Sequence, residues 1–364
     1  MTKQIIFTLF LLVAFQAGIS QTAKYSNAFL SIGVGGRGLG MSGAVAATTT
    51  NAEAAYWNPA GLALMQGERE LSLMHAEYFA GIAKYDYGTI AARIDNRSAA
   101  SFSVIRFGVD DIPNTSELID SEGNINYDKV SSFSAADYAF LFSYARETKH
   151  EGLQLGGSAK IVRRVAGDFA GSWGFGLDFG ARYQTSDWIF AAMGQDISTT
   201  FNAWSYSLSD QMKEVFTITG NDIPVSSVEI TTPTVTLAAA REIRFASQWK
   251  LVAETDLDIT TDGKRNVPVK TDFISIDPRV GMELGFKQFV FLRAGVSNIQ
   301  QEKAIDGGRE TTFQPNVGVG LNIKDRFFID YAFTDLGDNS MALYSNVFSL
   351  RLLFNQQKKS STDN

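Results

Sequence analysis

Residues 313–334 read FQPNVGVGLNIKDRFFIDYAFT and contain two runs in which apolar and polar side chains alternate. In the first run one face is apolar and the other is small or polar. The apolar face holds Phe313, Val317, Val319, Leu321 and Ile323, and the opposite face holds Gln314, Asn316, Gly318, Gly320 and Asn322. The second run alternates in the same way from Phe327 to Phe333, and Lys324-Asp325 lies between the runs. Since successive side chains of a strand point to opposite faces, this stretch predicts an antiparallel hairpin with one apolar face.

The same alternation recurs from Met65 to Phe354 and predicts about fourteen strands. Many of them are ten to fourteen residues long, whereas soluble strands cluster near about five or six residues. The predicted strands are 69–78, 82–94, 98–108, 134–146, 152–165, 172–184, 187–197, 230–241, 247–258, 273–286, 289–298, 312–323, 326–334 and 344–355.

Two architectures produce such strands, a soluble sandwich and a transmembrane barrel with its apolar face toward lipid. The length of the strands favours the barrel, and so do aromatic residues near strand ends. These aromatic residues are Trp173, Trp188, Trp249, Tyr183 and Phe354. The connections after even-numbered strands are short, whereas the longest ones, 110–133 and 199–229, follow odd-numbered strands. Short turns at one end and long loops at the other are typical of outer-membrane barrels. We therefore predict an all-β fold, a transmembrane antiparallel β-barrel of about 14 strands at residues 66–355.

Phe29–Met65 reads FLSIGVGGRGLGMSGAVAATTTNAEAAYWNPAGLALM and is apolar, rich in glycine and almost free of charge. It has too many glycines for a stable helix and is too irregular for a long strand. A barrel of fourteen strands is too wide for its own side chains to fill. Residues 21–65 are therefore predicted to form an N-terminal hatch in the lumen, inserted from the periplasmic end where the short turns lie.

The two ends of the chain are predicted to lie outside the barrel. Residues 1–20 have a basic start at Lys3, a short apolar core and small residues before Gln21, which predicts a cleaved signal peptide. The alternative, an anchor helix, is disfavoured because the apolar run of about eleven residues is too short to span a bilayer. Residues 356–364 are polar and predict a disordered tail.

Composition excludes several classes of function. A net charge of −7 provides no basic surface for nucleic acid. The chain has no cysteine and only His75 and His150, so thiolate sites, multi-histidine metal sites and histidine-based triads are poorly supported. Residues 33–38 fit G-x-G-x-x-G, but no strand and helix flank them as a dinucleotide site requires. We predict no enzyme activity, no cofactor and no metal.

Several charged residues fall on the predicted inward face of the strands. A catalytic carboxylate pair is one interpretation, and a network of lumenal ion pairs holding the hatch to the wall is the favoured one, because buried charges must be paired. Arg37 of the hatch is the expected partner of Glu254, Glu283 or Asp330. The predicted network consists of Arg37, Asp178, Arg182, Glu254, Arg279, Glu283, Arg293, Asp330 and Arg351.

Three further stretches have two interpretations each. Residues 58–61, Asn-Pro-Ala-Gly, form a turn by their chemistry, either purely structural or a latch between hatch and wall. The acidic residues of 110–133 fit a solvated loop better than a calcium site, because their spacing matches no EF-hand. Phe201, Trp204 and Tyr206 in 199–229 are costly to expose. They predict either a loop folded over the barrel mouth or a contact surface for a partner or ligand.

The glycine-rich segment and the alternating strands together resemble the PorV/PorQ family of Bacteroidota outer-membrane proteins. That family belongs to the wider FadL-like group of fourteen-stranded barrels with an N-terminal hatch. The resemblance is specific in residues 29–64. The matching residues are Arg37, Gly38, Gly40, Met41, Gly43, Trp57, Asn58, Pro59, Ala60 and Gly61.

The resemblance implies a non-enzymatic role in type IX protein secretion, as an adaptor or shuttle for exported cargo. It implies location in the outer membrane, with lipid, secretion translocon subunits and the C-terminal signal domain of cargo as partners. The first alternative is a FadL-like channel for long-chain fatty acids or other hydrophobic small molecules. The second is a structural or adhesive barrel. The polar, glycine-rich inward face favours the adaptor over the channel.

Overall fold

A computed structural model describes residues 26–115, 118, 124–303, 308–336 and 345–356. The predicted signal peptide and all but the first residue of the predicted tail lie outside these ranges. Within the described residues, no helix has the length and apolar character needed to cross a membrane.

All strands belong to one antiparallel sheet that closes on itself, because β1 (Gly67–Tyr78) pairs with both β2 (Ala83–Asp95) and β17 (Ser345–Gln356). The remaining strands are β3 (Ser98–Asn114), β4 (Ser131–Glu147), β5 (Leu153–Ala166), β6 (Ala170–Thr185), β7 (Trp188–Gln195), β8 (Thr200–Tyr206), β9 (Ser227–Thr231), β10 (Thr234–Phe245), β11 (Trp249–Thr260), β12 (Val269–Lys270), β13 (Ser275–Phe286), β14 (Val290–Lys303), β15 (Arg309–Ile323) and β16 (Phe327–Thr334).

Fourteen of these strands form the wall of the barrel. The other three, β8, β9 and β12, are additions to it. β7 pairs with β6 and β10. β8 pairs with the first residues of β6, from Ala170 to Phe175, and β9 pairs with the other edge of β8. β12 is a two-residue strand on β13. The predicted closed barrel of about 14 antiparallel strands is confirmed.

The strands have an apolar outer face and a polar inner face. On β15 Phe313 is 58% exposed, whereas Asn316 and Asn322 on the opposite face are buried. An exposed apolar face is stable only against lipid, so the alternation predicted from the sequence has its physical cause in the membrane. Aromatic rings lie together near the short turns. The ring centroids of Trp249 and Phe286, for example, are 4.6 Å apart.

The two ends of the barrel differ in their connections. At the short-turn end, hairpin connections such as 96–97, 186–187 and 324–326 are two or three residues long. At the long-loop end, β3 and β4 extend to Asn114 and from Ser131, so the connection predicted at 110–133 is partly strand. A 3₁₀ helix, Tyr127–Lys129, lies within the remainder.

The long connection predicted at 199–229 is wrong as a loop, because it holds the β8–β9 hairpin and an α-helix at Asp210–Ile218. In chain order the α-helices are α1 (Gly36–Gly40), α2 (Ala54–Trp57) and α3 (Asp210–Ile218). Ser209 begins α3 by accepting a hydrogen bond from the Met212 amide. The two strands of seven and five residues are short and interrupted by this helix, which hides their alternation in the sequence.

Residues 26–65, here called the inner segment, lie within the barrel. Besides α1 and α2, the segment contains two 3₁₀ helices, Ala28–Ser31 and Pro59–Leu64. α1 packs on β15 and β16, whereas Pro59–Leu64 packs on β4 and β5 across the lumen. The segment therefore touches opposite sides of the wall, and most of its side chains are buried.

Candidate functional site in the barrel lumen

The inner segment runs from the long-loop end of the lumen to the short-turn end. Near its start, Asn27 hydrogen-bonds to Asn202 of β8 and to Thr231 of β9, at 3.0 and 2.9 Å. At its end, the Met65 carbonyl accepts two hydrogen bonds from the Arg93 guanidinium, at 2.6 and 2.9 Å. The segment is thus fixed to the wall at both ends.

Four of the charges predicted to form a lumenal network do meet, and we call them the Arg37 network. Arg37 Nε lies 3.0 Å from Glu283 Oε2, and Arg293 Nε lies 2.6 Å from that same oxygen. Arg293 Nη1 lies 2.6 Å from Asp330 Oδ1. The signs alternate, and each buried charge has an opposite partner, as burial requires. Arg37 also donates hydrogen bonds to the hydroxyl groups of Thr48 and Thr49.

Acidic side chains of β11 hold the backbone of the inner segment. Asp256 Oδ2 accepts hydrogen bonds from the amides of Val45 and Ala46, both at 3.2 Å. Glu254 accepts one from the Ala47 amide at 2.6 Å. Glu254 also accepts a hydrogen bond from the Thr48 hydroxyl, to which Arg37 donates. The predicted alternative of a direct Arg37–Glu254 ion pair is thus replaced by a contact through Thr48. An extended segment without its own sheet leaves amide groups unpaired, and these carboxylates satisfy them.

Three other residues predicted for the network, Asp178, Arg182 and Arg351, have partners other than Arg37. Arg182 donates to the Ala47 carbonyl at 2.8 Å. Asp178 pairs with Lys160 at 2.8 Å, and Arg351 lies 3.9 Å from the buried Glu70. The network predicted as one unit is thus several separate clusters spaced around the wall.

Several buried or partly buried charges were not predicted from the sequence. They include Glu53, Glu70, Lys160, Asp196, Asp256, Asp258 and Asp277. Asp256 and Asp258 lie on the same face of the strand as Glu254, because they follow it at steps of two residues. In the same way, Lys160 lies on the same face of β5 as Ser158. Alternation was therefore a sufficient signal for those three. Asp196 lies just after β7, where the alternation ends.

Glu53 is a buried carboxyl at the start of α2. Its Oε1 accepts a hydrogen bond from the Ser72 hydroxyl at 2.8 Å. Burial raises the pKa of Glu53 above its ordinary value, and the nearby Asp330 carboxylate raises it further. Burial thus makes ionisation of the Glu53 carboxyl less favourable than it is in water.

Trp57 organises the middle of the inner segment. Its indole Nε1 donates to the Val34 carbonyl at 3.0 Å, and its ring meets the Tyr56 ring edge-on, with centroids 4.9 Å apart. The Tyr56 hydroxyl in turn donates to the Leu30 carbonyl at 2.6 Å. These contacts tie α2 to the glycine-rich first part of the segment, so that the predicted motif residues at both ends of it come together.

Gly40 lets α1 approach the wall closely. A Cβ atom at Gly40 would lie 3.1 Å from the Cα atom of Gly318 on β15, and a Cβ atom at Gly318 would lie equally close to Gly40. Of the other motif residues, Met41 is fully buried and its backbone lies beside wall residues Gly281 and Gly295.

Asn58 connects α2, the following 3₁₀ helix and the wall. Its Oδ1 accepts a hydrogen bond from the Ala60 amide at 3.1 Å, which caps Pro59–Leu64. Its Nδ2 donates to the Ala181 carbonyl of β6 at 3.2 Å. Both predicted interpretations of the Asn-Pro-Ala-Gly turn therefore have a contact behind them, one structural and one to the wall. Whether the turn is ever released stays a prediction.

A cavity of about 500 Å³ lies above the inner segment, toward the long-loop end. We call it the outer cavity. Ile32, Leu39 and Trp57 of the inner segment contribute apolar surface to it. Its walls come mainly from β11 and β13–β16 and carry polar groups. The charged side chains among them are Asp258, Arg265, Asp277, Arg279 and Asp335.

The charged groups of the outer cavity are only partly matched. Arg279 Nη2 lies 2.7 Å from Asp258 Oδ1 and 4.0 Å from Asp256 Oδ2. Arg265 is paired with Asp262 at 2.5 Å. Within the described residues, Asp277 Oδ1, Thr260 Oγ1 and Arg279 Nε of the cavity lining are buried atoms without a hydrogen-bond partner.

Phe201, Trp204 and Tyr206 do not form a single surface. They lie on β8, where Phe201 faces outward and is 45% exposed. Trp204 and Tyr206 stack on the other face, with centroids 6.3 Å apart, and Trp204 Nε1 donates to Glu229 at 2.9 Å. Their grouping as one contact surface is therefore not what the fold presents, and their role stays a prediction.

The described part of the lumen holds no group of three or more histidine, aspartate or glutamate side chains placed to bind a metal ion. The lumen offers instead two features. One is a segment bonded to the wall by carboxylates and ion pairs, and the other is the outer cavity resting on that segment. Such an arrangement can hold a small molecule at the long-loop end.

No protein-family model matches the sequence. No curated protein matches it either. Solved structures share the fold at low sequence identity. The toluene transporter TbuX of Ralstonia pickettii matches with a TM-score of 0.56 and 16% identity, covering 89% of this chain and 99% of that chain. The toluene transporter TodX of Pseudomonas putida matches with a TM-score of 0.57 and 15% identity, covering 88% and 98%.

A FadL homologue of Pseudomonas aeruginosa matches with a TM-score of 0.51 and 12% identity, covering 87% of this chain and 97% of that chain. Identities this low establish the fold and leave the PorV/PorQ resemblance a prediction. The protein has the fold of the FadL-like barrels and is a multi-pass β-barrel of the outer membrane.

Proposed function

We propose that the protein is an outer-membrane channel that admits hydrophobic or amphipathic small molecules. The observation that carries this proposal is the outer cavity, because it lies inside a closed barrel with the inner segment as part of its lining. Its volume of about 500 Å³ falls in the range usual for small-molecule sites. The structural neighbours described as toluene transporters support the same function. This function was the first alternative from the sequence, and the structural neighbours favour it over the secretion adaptor.

The inner segment is the hatch of this channel. A molecule that enters at the long-loop end comes to rest against Leu39 and Trp57, and the segment below blocks its way to the short-turn end. Passage therefore requires part of the segment to move. The segment is fixed by hydrogen bonds and ion pairs to the wall, which can exchange for water, rather than by a covalent link.

The first experiment is deletion of the gene and measurement of the uptake of a radiolabelled hydrophobic probe, with toluene and a long-chain fatty acid tested separately. Uptake that falls on deletion and returns on complementation supports the channel. Normal uptake of toluene, of the fatty acid and also of 2-phenylethylamine contradicts it.

A disulfide tests the hatch directly, since the native chain has no cysteine. Ser42 Oγ accepts a hydrogen bond from Asn316 Nδ2 at 2.8 Å, so the pair Ser42→Cys and Asn316→Cys joins the inner segment to β15 beside the outer cavity. The matched control is Ser143→Cys with Ser158→Cys, whose hydroxyl groups lie 2.7 Å apart on adjacent wall strands. Oxidation is expected to stop uptake in the first pair only, and reduction is expected to restore it. Equal uptake by both oxidised pairs argues against a moving hatch.

The second candidate is the type IX secretion adaptor that the PorV/PorQ resemblance implies. One observation favours it: apolar side chains stand exposed at the long-loop end, where a partner protein can reach them. Tyr127 is 75% exposed, Val225 75% and Phe273 80%. Comparison of the secreted proteome of the deletion strain with that of the wild type separates the two candidates. Lost secretion with normal uptake favours the adaptor, and the reverse favours the channel.

A further inference from the structure

The inner face of β11 and β13 carries an acidic ladder beside the outer cavity. In the register of these strands, Asp258 lies directly opposite Asp277, and Asp256 lies opposite Arg279. Like charges directly opposite each other destabilise a sheet. The pair of Asp258 and Asp277 therefore lowers the stability of the sheet. The fold does not require this pair, because neutral side chains at the two positions would pair as well.

Arg279 does not balance this ladder by itself. It is one guanidinium among Asp256, Asp258 and Asp277, and its hydrogen bond goes to Asp258 at 2.7 Å. Arg265, which also lines the cavity, is already held by Asp262. The lining thus carries more carboxylate than the neighbouring cations balance.

A second, independent observation concerns the next residue pair on the same face of these two strands. Thr260, opposite Ser275, lines the cavity and is only 6% exposed. Within the described residues its hydroxyl has no hydrogen-bond partner, and neither has Asp277 Oδ1. Buried polar groups are normally satisfied, and exceptions call for an explanation. Two such acceptor atoms therefore line the cavity, and the donor Arg279 Nε is a third buried atom there without a partner among the described residues.

From these two observations we infer that the outer cavity binds the ammonium group of an amphipathic amine. The ammonium hydrogens satisfy Asp277 Oδ1 and Thr260 Oγ1, and the positive charge separates Asp277 from Asp258. The apolar body of the amine packs on Leu39 and Trp57, which line the same cavity. A metal ion is not the cation, since the described residues offer no metal-binding cluster. The inference rests on the proposed function in one respect only, namely that the bound amine is a molecule that the channel transports.

The test uses the full-length mature protein in lipid nanodiscs, with empty nanodiscs as the blank. Isothermal titration compares 2-phenylethylamine, ethylbenzene and 3-phenylpropionate at about pH 7, where the amine is protonated. These probes share an aromatic body and differ in charge. The amine is expected to bind at least about tenfold more tightly than the other two, as a charge-assisted hydrogen bond provides.

Variants locate the binding. Asp277→Asn is expected to weaken amine binding by about tenfold or more and to leave ethylbenzene binding unchanged. Thr260→Val is expected to weaken it by about threefold or more, and it serves if Asp277→Asn does not fold. The matched control is Asp272→Asn, an exposed aspartate in the connection before β13 that does not line the cavity. Folding of each variant is checked by its faster migration on an unboiled gel.

The outcomes separate this inference from the channel proposal. Equal binding of the amine and ethylbenzene, or equal amine affinity in Asp277→Asn and Asp272→Asn, overturns the ammonium site. If ethylbenzene binds and the amine does not, the ammonium site fails and the channel proposal stands. Absence of binding by all three probes also overturns the ammonium site. Uptake of radiolabelled 2-phenylethylamine by the wild-type and deletion strains then tests the channel on its own.

Discussion

The Arg37 network and the outer cavity lie in the same lumen but differ in how their charged side chains are paired. In the network, Arg37, Glu283, Arg293 and Asp330 alternate in sign, and the atoms that join them lie 2.6–3.0 Å apart. In the cavity, Asp277 opposes another aspartate and leaves one oxygen unpartnered among the described residues. Matched charge therefore marks where the inner segment is held, and unmatched charge marks where we propose that a ligand binds.

The largest effect is expected from breaking the network at its centre. Arg293→Ala leaves the buried Asp330 without its ion-pair partner and leaves Glu283 with Arg37 alone. The expected loss of stability is about 3–5 kcal/mol, as for other buried pairs that lose one member. The measurement is the temperature at which the compact band disappears on unboiled gels, with the exposed Lys324→Ala as the control. Equal transition temperatures for the two variants would show that the network does not hold the barrel.

A smaller effect is expected from filling the close contact between segment and wall. Gly318→Ala places a methyl group 3.1 Å from the Gly40 Cα atom, which forces α1 away from β15. The expected cost is about 1–3 kcal/mol, measured by urea titration in micelles. The control, Gly88→Ala on β2, places its methyl group at an ordinary 3.5 Å from Leu73 and is expected to change stability by less than about 0.5 kcal/mol. A cost at both positions would point to the strands rather than to the contact.

The bond between Asn58 and the wall can be separated from its capping role. Asn58→Ala loses the cap on Ala60 and the bond to Ala181, with an expected cost of about 0.5–2 kcal/mol. Asn126→Ala loses a matching cap, the bond from the Asp128 amide, on an exposed 3₁₀ helix without a wall contact. The excess cost of the first variant over the second, in the same urea titration, measures the wall bond. If there is no excess, the turn is structural and does not act as a latch.

The smallest effect concerns Glu53 and pH. Because burial raises its pKa, the folded state keeps the proton to a higher pH than the unfolded state does. The contribution of Glu53 to stability is therefore present below its ordinary pKa and is lost as the pH rises toward the raised value. Glu53→Gln should match the wild type in acid and be at least as stable at neutral pH, whereas the exposed Glu68→Gln should follow the wild-type pH profile throughout. Parallel profiles for all three proteins would contradict the expected shift.

The alternation of side chains predicted the barrel and its short turns because alternation is a local property of each strand. The β8–β9 hairpin was missed because its strands are short and α3 separates them. The residues of the lumen were harder to pair. The sequence placed Arg37 and three acids inside but could not choose Glu283 among them, since that choice depends on how the inner segment is positioned against strands more than 200 residues away. The ladder at Asp258 and Asp277 requires the register of two strands, which no periodicity supplies.

The hydrogen bonds of Asn27 to Asn202 and Thr231 have a consequence for assembly. These partners are 175 and 204 residues farther along the chain, so they are synthesised long after Asn27. Contacts so distant in sequence form late, because the chain entropy of closing such a loop is lost before the contact compensates for it. We therefore expect the first described residues of the chain to be among the last to settle, after β8 and β9 are in place. A barrel assembled this way has its walls before its interior.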